Sequence, residues 1–152
     1  MALLRAREIT MSYFRPLLKA HGLTEQQWRV IRVLQEYGDL EFHELSRVAW
    51  IQPPSLTGIL TRLERATLVR RTRSATDQRR LHLSLTRTGL RRFDTVSGEA
   101  EALYRQIERQ LGRPQLASLM NTLREFDRMA AQPAAGGKRR ARQAMARVPR
   151  AQ

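Results

Sequence analysis

The spacing of apolar residues changes period twice along this chain, from helical to alternating and back. Leu56, Ile59, Leu60 and Leu63 recur at i, i+3, i+4, i+7, which places them on one side of an α-helix. From Leu68 the pattern shifts. Val69 leads into Arg70-Arg71-Thr72-Arg73, and after a polar loop Leu81, Leu83 and Leu85 alternate with His82 and Ser84. Period two on both sides of a loop rich in Ser, Thr, Asp and Arg predicts a β-hairpin. Helical spacing returns near Thr86–Gly89.

The rest of the chain reads as helix. Residues 3–20 form one, with Pro16 near its end as an expected kink and Gly22 as a C-terminal cap. Thr24 with Gln27 three residues on is a capping-box pattern. It opens a helix that runs to Tyr37 and stops at Gly38. Phe42, Leu45, Val48 and Ala49 mark a short amphipathic helix, and Pro53 and Pro54 suit the first turn of the next. Beyond the hairpin, Phe93, Val96, Ala100, Leu103 and Ile107 form a short heptad seam. After Gly112 and Pro114 a last helix carries Leu116, Leu119, Met120, Leu123 and Phe126. The seam is too short for an isolated coiled coil. It predicts a helical dimer interface, with Leu3, Leu4 and Ile9 contributing. The fold class is therefore mainly α with a small β-hairpin.

Charge narrows the partner. The 28 Lys+Arg against 14 Asp+Glu leave +14, and only Lys19 and Lys138 are lysines. Guanidinium is the group that makes bidentate contacts to phosphates and guanine edges. From Gln132 onward there are six basic residues and no acid, broken by Pro133, Gly136, Gly137 and Pro149. That stretch, 132–152, is expected to be a disordered basic tail. Residues 1–131 still carry 22 basic against 14 acidic groups, so the excess belongs to the folded part as well. The absence of Cys removes disulfide scaffolds, thiolate zinc sites and cysteine nucleophiles. No apolar run exceeds four residues, so neither a membrane span nor a signal peptide is expected, and a cytoplasmic location is. His21, His43 and His82 have no ligand spacing for zinc. Gly136-Gly137-Lys138 lacks the spacing of a phosphate loop, and Ser55 has no His nearby in sequence. No enzyme, metal or cofactor is expected.

The basic residues concentrate where the period changes: 62–80 holds seven Arg and two acids. A short helix pair followed by a basic hairpin describes a winged helix-turn-helix. The second helix enters the major groove and the hairpin an adjacent minor groove. The competing reading is an ordinary solvated face. Against it stands the make-up of the helix side left over at 55–65: Ser55, Thr57, Gly58, Thr61, Arg62 and Arg65. Small hydroxyls and a glycine allow close approach while still forming hydrogen bonds. Arg73 and Arg80 are expected on the wing. His43 and His82 read as surface residues, His43 within reach of a phosphate.

The run PPSLTGILTRLERATLVRRTRSATDQRRLHLSLTRTG at 53–89 resembles the recognition helix and wing of MarR-type regulators. The specific part is Asp77-Gln78-Arg79, with Arg80 next, then Leu85-Thr86 and Gly89 opening the following helix. The stretch MSYFRPLLKAHGLTEQQWRVIRVL at 11–34 is similar to one branch, the HpaR-like regulators of homoprotocatechuate degradation. The resemblance covers about residues 3–130. It implies that Asp77 braces Arg79 for entry into the minor groove. It also implies a winged helix-turn-helix domain over 1–131, with a DNA-binding lobe at 24–85 and dimerisation helices at 3–20 and 86–131. The implied function is a homodimeric repressor of an aromatic-acid catabolic operon, bound to a palindromic operator on double-stranded DNA and released by a small aromatic carboxylate. In this family such ligands sit between dimer helices and DNA-binding lobe. Ser12, Phe14, Arg15, His21, Trp28 and Arg29 are the groups suited to that pocket: Arg for the carboxylate, Ser or His for a ring hydroxyl, Trp or Phe against the ring. The structural alternatives are that Trp28 belongs to the core and that His21 serves a helix end. Two functional alternatives stand beside this one. One is a regulator sensing another aromatic or pyridine carboxylate, such as a hydroxynicotinate. The other is a sequence-tolerant architectural nucleic-acid-binding protein.

Overall fold

The computed structural model describes residues 1–73 and 81–131. The expected tail at 132–152 and the wing-tip residues Asp77, Arg79 and Arg80 lie outside them. Six helices and three strands follow in order: α1 Ala2–Ala20, α2 Glu25–Tyr37, β1 Leu40–Glu41, α3 Phe42–Ala49, α4 Pro53–Arg65, β2 Val69–Arg73, β3 Leu81–Leu85, α5 Arg87–Leu111 and α6 Arg113–Ala131. The chain divides into two compact units between Tyr104 and Arg105. No described helix is long and apolar enough to cross a membrane.

Local chemistry sets the boundaries. α1 contains Pro16 and closes at Gly22, whose φ of 67° is open to glycine at little cost. Leu23 N–H then returns to the Leu18 carbonyl at 2.8 Å, closing a Schellman-type turn. Thr24 Oγ1 accepts from Gln27 N–H, and Gln27 Oε1 accepts from Thr24 N–H at 2.8 Å. This capping box starts α2. Pro53 and Pro54 occupy the first two positions of α4, where a missing N–H costs no helical bond.

The helix spacing becomes the core. Val30, Ile31, Leu45, Leu56, Leu60, Leu63, Leu83 and Val96 are almost completely buried together, drawn from α2, α3, α4, β3 and α5. The expected hairpin is part of a three-stranded antiparallel sheet in the order β1-β3-β2. Leu40 pairs with Leu83 and Glu41 with His82. A two-residue strand has no period to read, so β1 was invisible in the pattern.

Two expectations need correcting. The alternation at 81–85 does not separate inside from outside. Leu81, at the end leading into the loop, is exposed, whereas Ser84 is buried and accepts from Arg70 Nε at 3.1 Å. The N-terminal half of the heptad seam, 93–100, is not free for a dimer. Val96 is fully buried and Ala100 nearly so, and Phe93 stacks on Trp28 with ring centroids 5.5 Å apart.

Candidate functional site

α4 is amphipathic, and its buried residues fix what it shows outward. With Leu56, Ile59, Leu60 and Leu63 in the core, Ser55, Thr57, Gly58, Arg62 and Arg65 are exposed and Thr61 is half-buried. A methyl group placed on Gly58 would meet no atom within 4 Å, so the helix surface is at its lowest there. Thr57 Oγ1 donates to the Pro53 carbonyl at 3.1 Å and Thr61 Oγ1 to the Thr57 carbonyl at 3.0 Å. These back-bonds hold the two hydroxyls in fixed rotamers with acceptor lone pairs outward.

The arginines of α4 and β2 fall into two groups. Arg71 pairs with Glu64 at 2.7 Å, and Arg70 covers Ser84. Both are held by protein. Arg62, Arg65 and Arg73 are exposed and have no partner among the described residues. They are the described arginines that the sequence singled out for DNA. α3 precedes this surface, with His43 exposed on it and Trp50 closing it.

A clamp fixes the wing root to α5. Thr86 N–H donates to the Leu68 carbonyl at 3.0 Å, Thr86 Oγ1 donates to the Thr67 carbonyl, and Gly89 N–H donates to Thr86 Oγ1 at 3.0 Å. Thr86 is thus the cap of α5 and the tie to the turn after α4.

The six residues expected to meet an effector are dispersed by their contacts. Phe14 is buried and packs on Tyr104, centroids 4.9 Å apart. Trp28 is buried against Phe93. His21 Nε2 lies 3.1 Å from Glu99 Oε1, and its carbonyl accepts from Arg92 at 2.8 Å. Ser12 is exposed and bonds back to the Ile9 carbonyl at 2.7 Å. Arg15 pairs with Glu8 and Glu25, and Arg7 joins the same two carboxylates. The Arg15 hydrogen bond holds the Glu8 carboxyl below the ordinary carboxylate range. Arg29 is half-buried and its Nη1 reaches the Ala49 carbonyl at 3.4 Å, at the end of α3.

Both cations expected for a carboxylate are therefore engaged within the protomer. Arg32, one turn beyond Trp28 on α2, is exposed and has no partner among the described residues. Sequence reasoning passed over it, although i+4 spacing places it on the Trp28 side of the helix. Phe93, Arg92, Glu99 and Tyr104 were also missed. They lie dozens of residues from α1 and α2, and no local pattern announces that pairing. Among the described residues no group of three His, Asp or Glu could hold a metal ion.

The profile described as MarR family matches residues 23–81. The homoprotocatechuate degradative operon repressor of Escherichia coli is 50% identical over 125 residues, 82% of this chain and 84% of that protein. The crystal structure of transcriptional regulator PA4135 superposes with a TM-score of 0.81 at 47% identity, over 84% of this chain and 93% of that one. NadR, crystallised in complex with 4-hydroxyphenylacetate, gives a TM-score of 0.73 at 46% identity, over 82% of this chain and 89% of that one.

Proposed function

The chain belongs to the MarR family of DNA-binding transcriptional regulators, and from that premise we propose that it is a cytoplasmic, homodimeric repressor released from a palindromic operator by a small aromatic carboxylate. The observation that carries the reading is the outward side of α4. Hydroxyls, a bare glycine and two arginines without a partner among the described residues lie side by side there, and a helix-turn-helix presents that side to base edges. In this reading Ser55, Thr57, Gly58, Thr61, Arg62 and Arg65 face the major groove, Arg73 and Arg80 hold phosphates, and Arg79, braced by Asp77, enters the minor groove.

Assembly follows from what one protomer leaves uncovered. On α1, Met1, Leu3, Leu4 and Ile9 are exposed, and on α6 so are Leu119, Met120, Leu123 and Phe126. Contiguous apolar stripes of this kind are rare on monomers. A second copy covering them gives a two-fold dimer, and two-fold symmetry calls for a palindrome with half-sites about 34 Å apart.

The effector reading rests on similarity to a 4-hydroxyphenylacetate-binding regulator and on the aromatic and basic groups of α1 and α2. An acid wedged at the joint between α1 and α2 disturbs the spacing of the two α4 helices. It releases DNA only by the margin with which it prefers the misspaced state. Arg32, exposed on α2 and without a partner among the described residues, is a cation that could supply that preference, and Arg29 steadies the α3 end.

Footprinting upstream of the chain's own gene tests the whole reading. Run with 4-hydroxyphenylacetate, with homoprotocatechuate and with a hydroxynicotinate, it should show symmetric protection that one of these acids abolishes. Affinities for that site and for random duplex are compared at one salt concentration. A ratio near one would turn the reading toward the architectural alternative. Folded monomer at micromolar concentration in sedimentation would remove the dimer.

A further inference from the structure

Trp50 carries two unfavourable features at one position. It is 81% exposed, and its backbone is left-handed, with φ 53° and ψ 44°. Exposure of an indole to water is unfavourable, and a side chain with a β-carbon is strained in that backbone region. Glycine would remove both features.

The surrounding turn explains how such a residue is held. Ala49 and Ile51 on either side are buried at 1% and 4% exposure. Ile51 N–H bonds the Ser46 carbonyl at 3.1 Å, Trp50 N–H bonds Arg47 at 3.3 Å, and Ser46 Oγ bonds the Ile51 carbonyl at 2.7 Å. Arg29 braces the Ala49 carbonyl from α2. The backbone is fixed on both sides, so the indole is presented outward from a rigid platform between α3 and α4.

What it faces follows from the helix it precedes. The start of a recognition helix commonly offers free backbone N–H groups to a phosphate. Here the first two positions are Pro53 and Pro54, which have no N–H. Leu56 N–H is already bonded to the Gln52 carbonyl at 3.0 Å, leaving the first turn, Pro53–Ser55, with Ser55 as its N–H donor. The exposed indole N–H, a donor without acceptor capacity, lies three residues upstream.

Building on the DNA-binding reading, we propose that Trp50 is a further DNA-backbone contact, its indole N–H donating to a phosphate and its ring lying on the adjoining deoxyribose. It takes the place of the amide donors that the two prolines remove. The contact is neutral, so it adds affinity without releasing a counterion. It is blind to sequence.

The chain has two tryptophans, and Trp28 is buried beneath Phe93. Acrylamide-quenchable emission of the full-length protein therefore reports Trp50. Operator duplex should shield that emission. Trp50→Phe should bind operator and random duplex about tenfold more weakly, a loss of about threefold at each of two sites in a dimer, with the salt slope unchanged. Trp50→Gly should bind at least as weakly as Trp50→Phe and yet melt higher than wild type, because its backbone strain is gone. A residue with only a structural role does not move stability and affinity in opposite directions. Full quenching in a saturated DNA complex, or Trp50→Phe affinity within twofold of wild type, overturns the proposal while leaving DNA binding intact. Shielding that grows with protein concentration in the absence of DNA assigns the indole to a second copy of the chain, and also overturns it. Failure to bind any duplex removes the DNA-binding reading itself.

Discussion

Gly89→Ala should unfold the clamp between the wing root and α5. A β-carbon at residue 89 would lie far inside contact distance of the Leu68 carbonyl oxygen, 3.0 Å from the Leu68 carbonyl carbon and 3.3 Å from Leu85 Cδ2. The two nearest are backbone atoms of Leu68, which cannot swing aside as the Leu85 methyl can. Leu68 and Val69 are 4% and 3% exposed, and Val69 is in register with Leu85. Moving the Leu68 peptide therefore moves the β2 end of the sheet. The Thr86 N–H bond to the Leu68 carbonyl goes with it. Overpacking a fixed core costs about 1–3 kcal/mol, and the lost hydrogen bond about 1 kcal/mol. Alanine's preference for helix over glycine offsets up to about 1 kcal/mol. The net is a loss of about 1–3 kcal/mol.

Thermal unfolding at one fixed protomer concentration measures it, because dimer stability depends on concentration. For a chain of this length the loss corresponds to a fall in Tm of about 3–10 °C. Gly58→Ala and Gly98→Ala are internal controls of opposite sign. Both lie in helices and have no atom within 4 Å of the added carbon, so each should gain up to about 1 kcal/mol. Gly58→Ala should also lose operator affinity, its methyl standing between α4 and the base edges, whereas Gly98→Ala should not. A Gly89→Ala protein that melts with Gly98→Ala, above wild type, would refute the reasoning. It would mean that the Leu68 peptide yields freely and that the clamp is not rigid.

Arg62→Ala should cost about 1–3 kcal/mol at the operator and relax preference at one base position. Arg73→Ala should weaken operator and random duplex alike and reduce the salt slope by about one; equal loss of discrimination from both would contradict the assignment. Arg32→Ala should keep operator affinity within about threefold, about 0.7 kcal/mol, and lose release by aromatic acid. Arg29→Ala, which removes the brace on Ala49, should weaken operator binding and leave the acid response; a reversed outcome in titrations would return the carboxylate to Arg29. The Glu8 carboxyl is depressed by its Arg15 hydrogen bond, so its stabilising effect is present above the unfolded carboxylate value of 4.5 and is lost as pH falls through the lower folded value. Melting curves of wild type and Glu8→Gln should converge toward acid pH and separate above it, less so at high salt because the pair is exposed; a constant gap at all pH would show that Arg15 is not the cause.

What the sequence made legible is what local spacing encodes. Helix boundaries at Gly22, Thr24 and Gly38, the paired prolines of α4 and the β2–β3 pairing all rest on residues a few positions apart. What it hid depends on partners brought from far along the chain. β1 exists because Leu83 is there to pair with Leu40. Val96 looks like half of a heptad seam until the core formed by α2 and α4 is seen to cover it. The burial of Ser84 is not announced by its own strand, because nothing there reveals that Arg70 bonds to it. The same limit governed the site. As sequence, the arginines from Arg62 to Arg73 are a single basic block, and either a solvated face or a DNA surface explains them equally well. Glu64 and Ser84 divide that block, pairing with Arg71 and Arg70 and leaving Arg62, Arg65 and Arg73 with nothing described to hold them. An ordinary solvated face gives no reason for the unpaired arginines to adjoin the hydroxyls and bare glycine of α4. A surface that reads bases requires that arrangement, because hydrogen bonds to bases need unpaired donors at the point of closest approach.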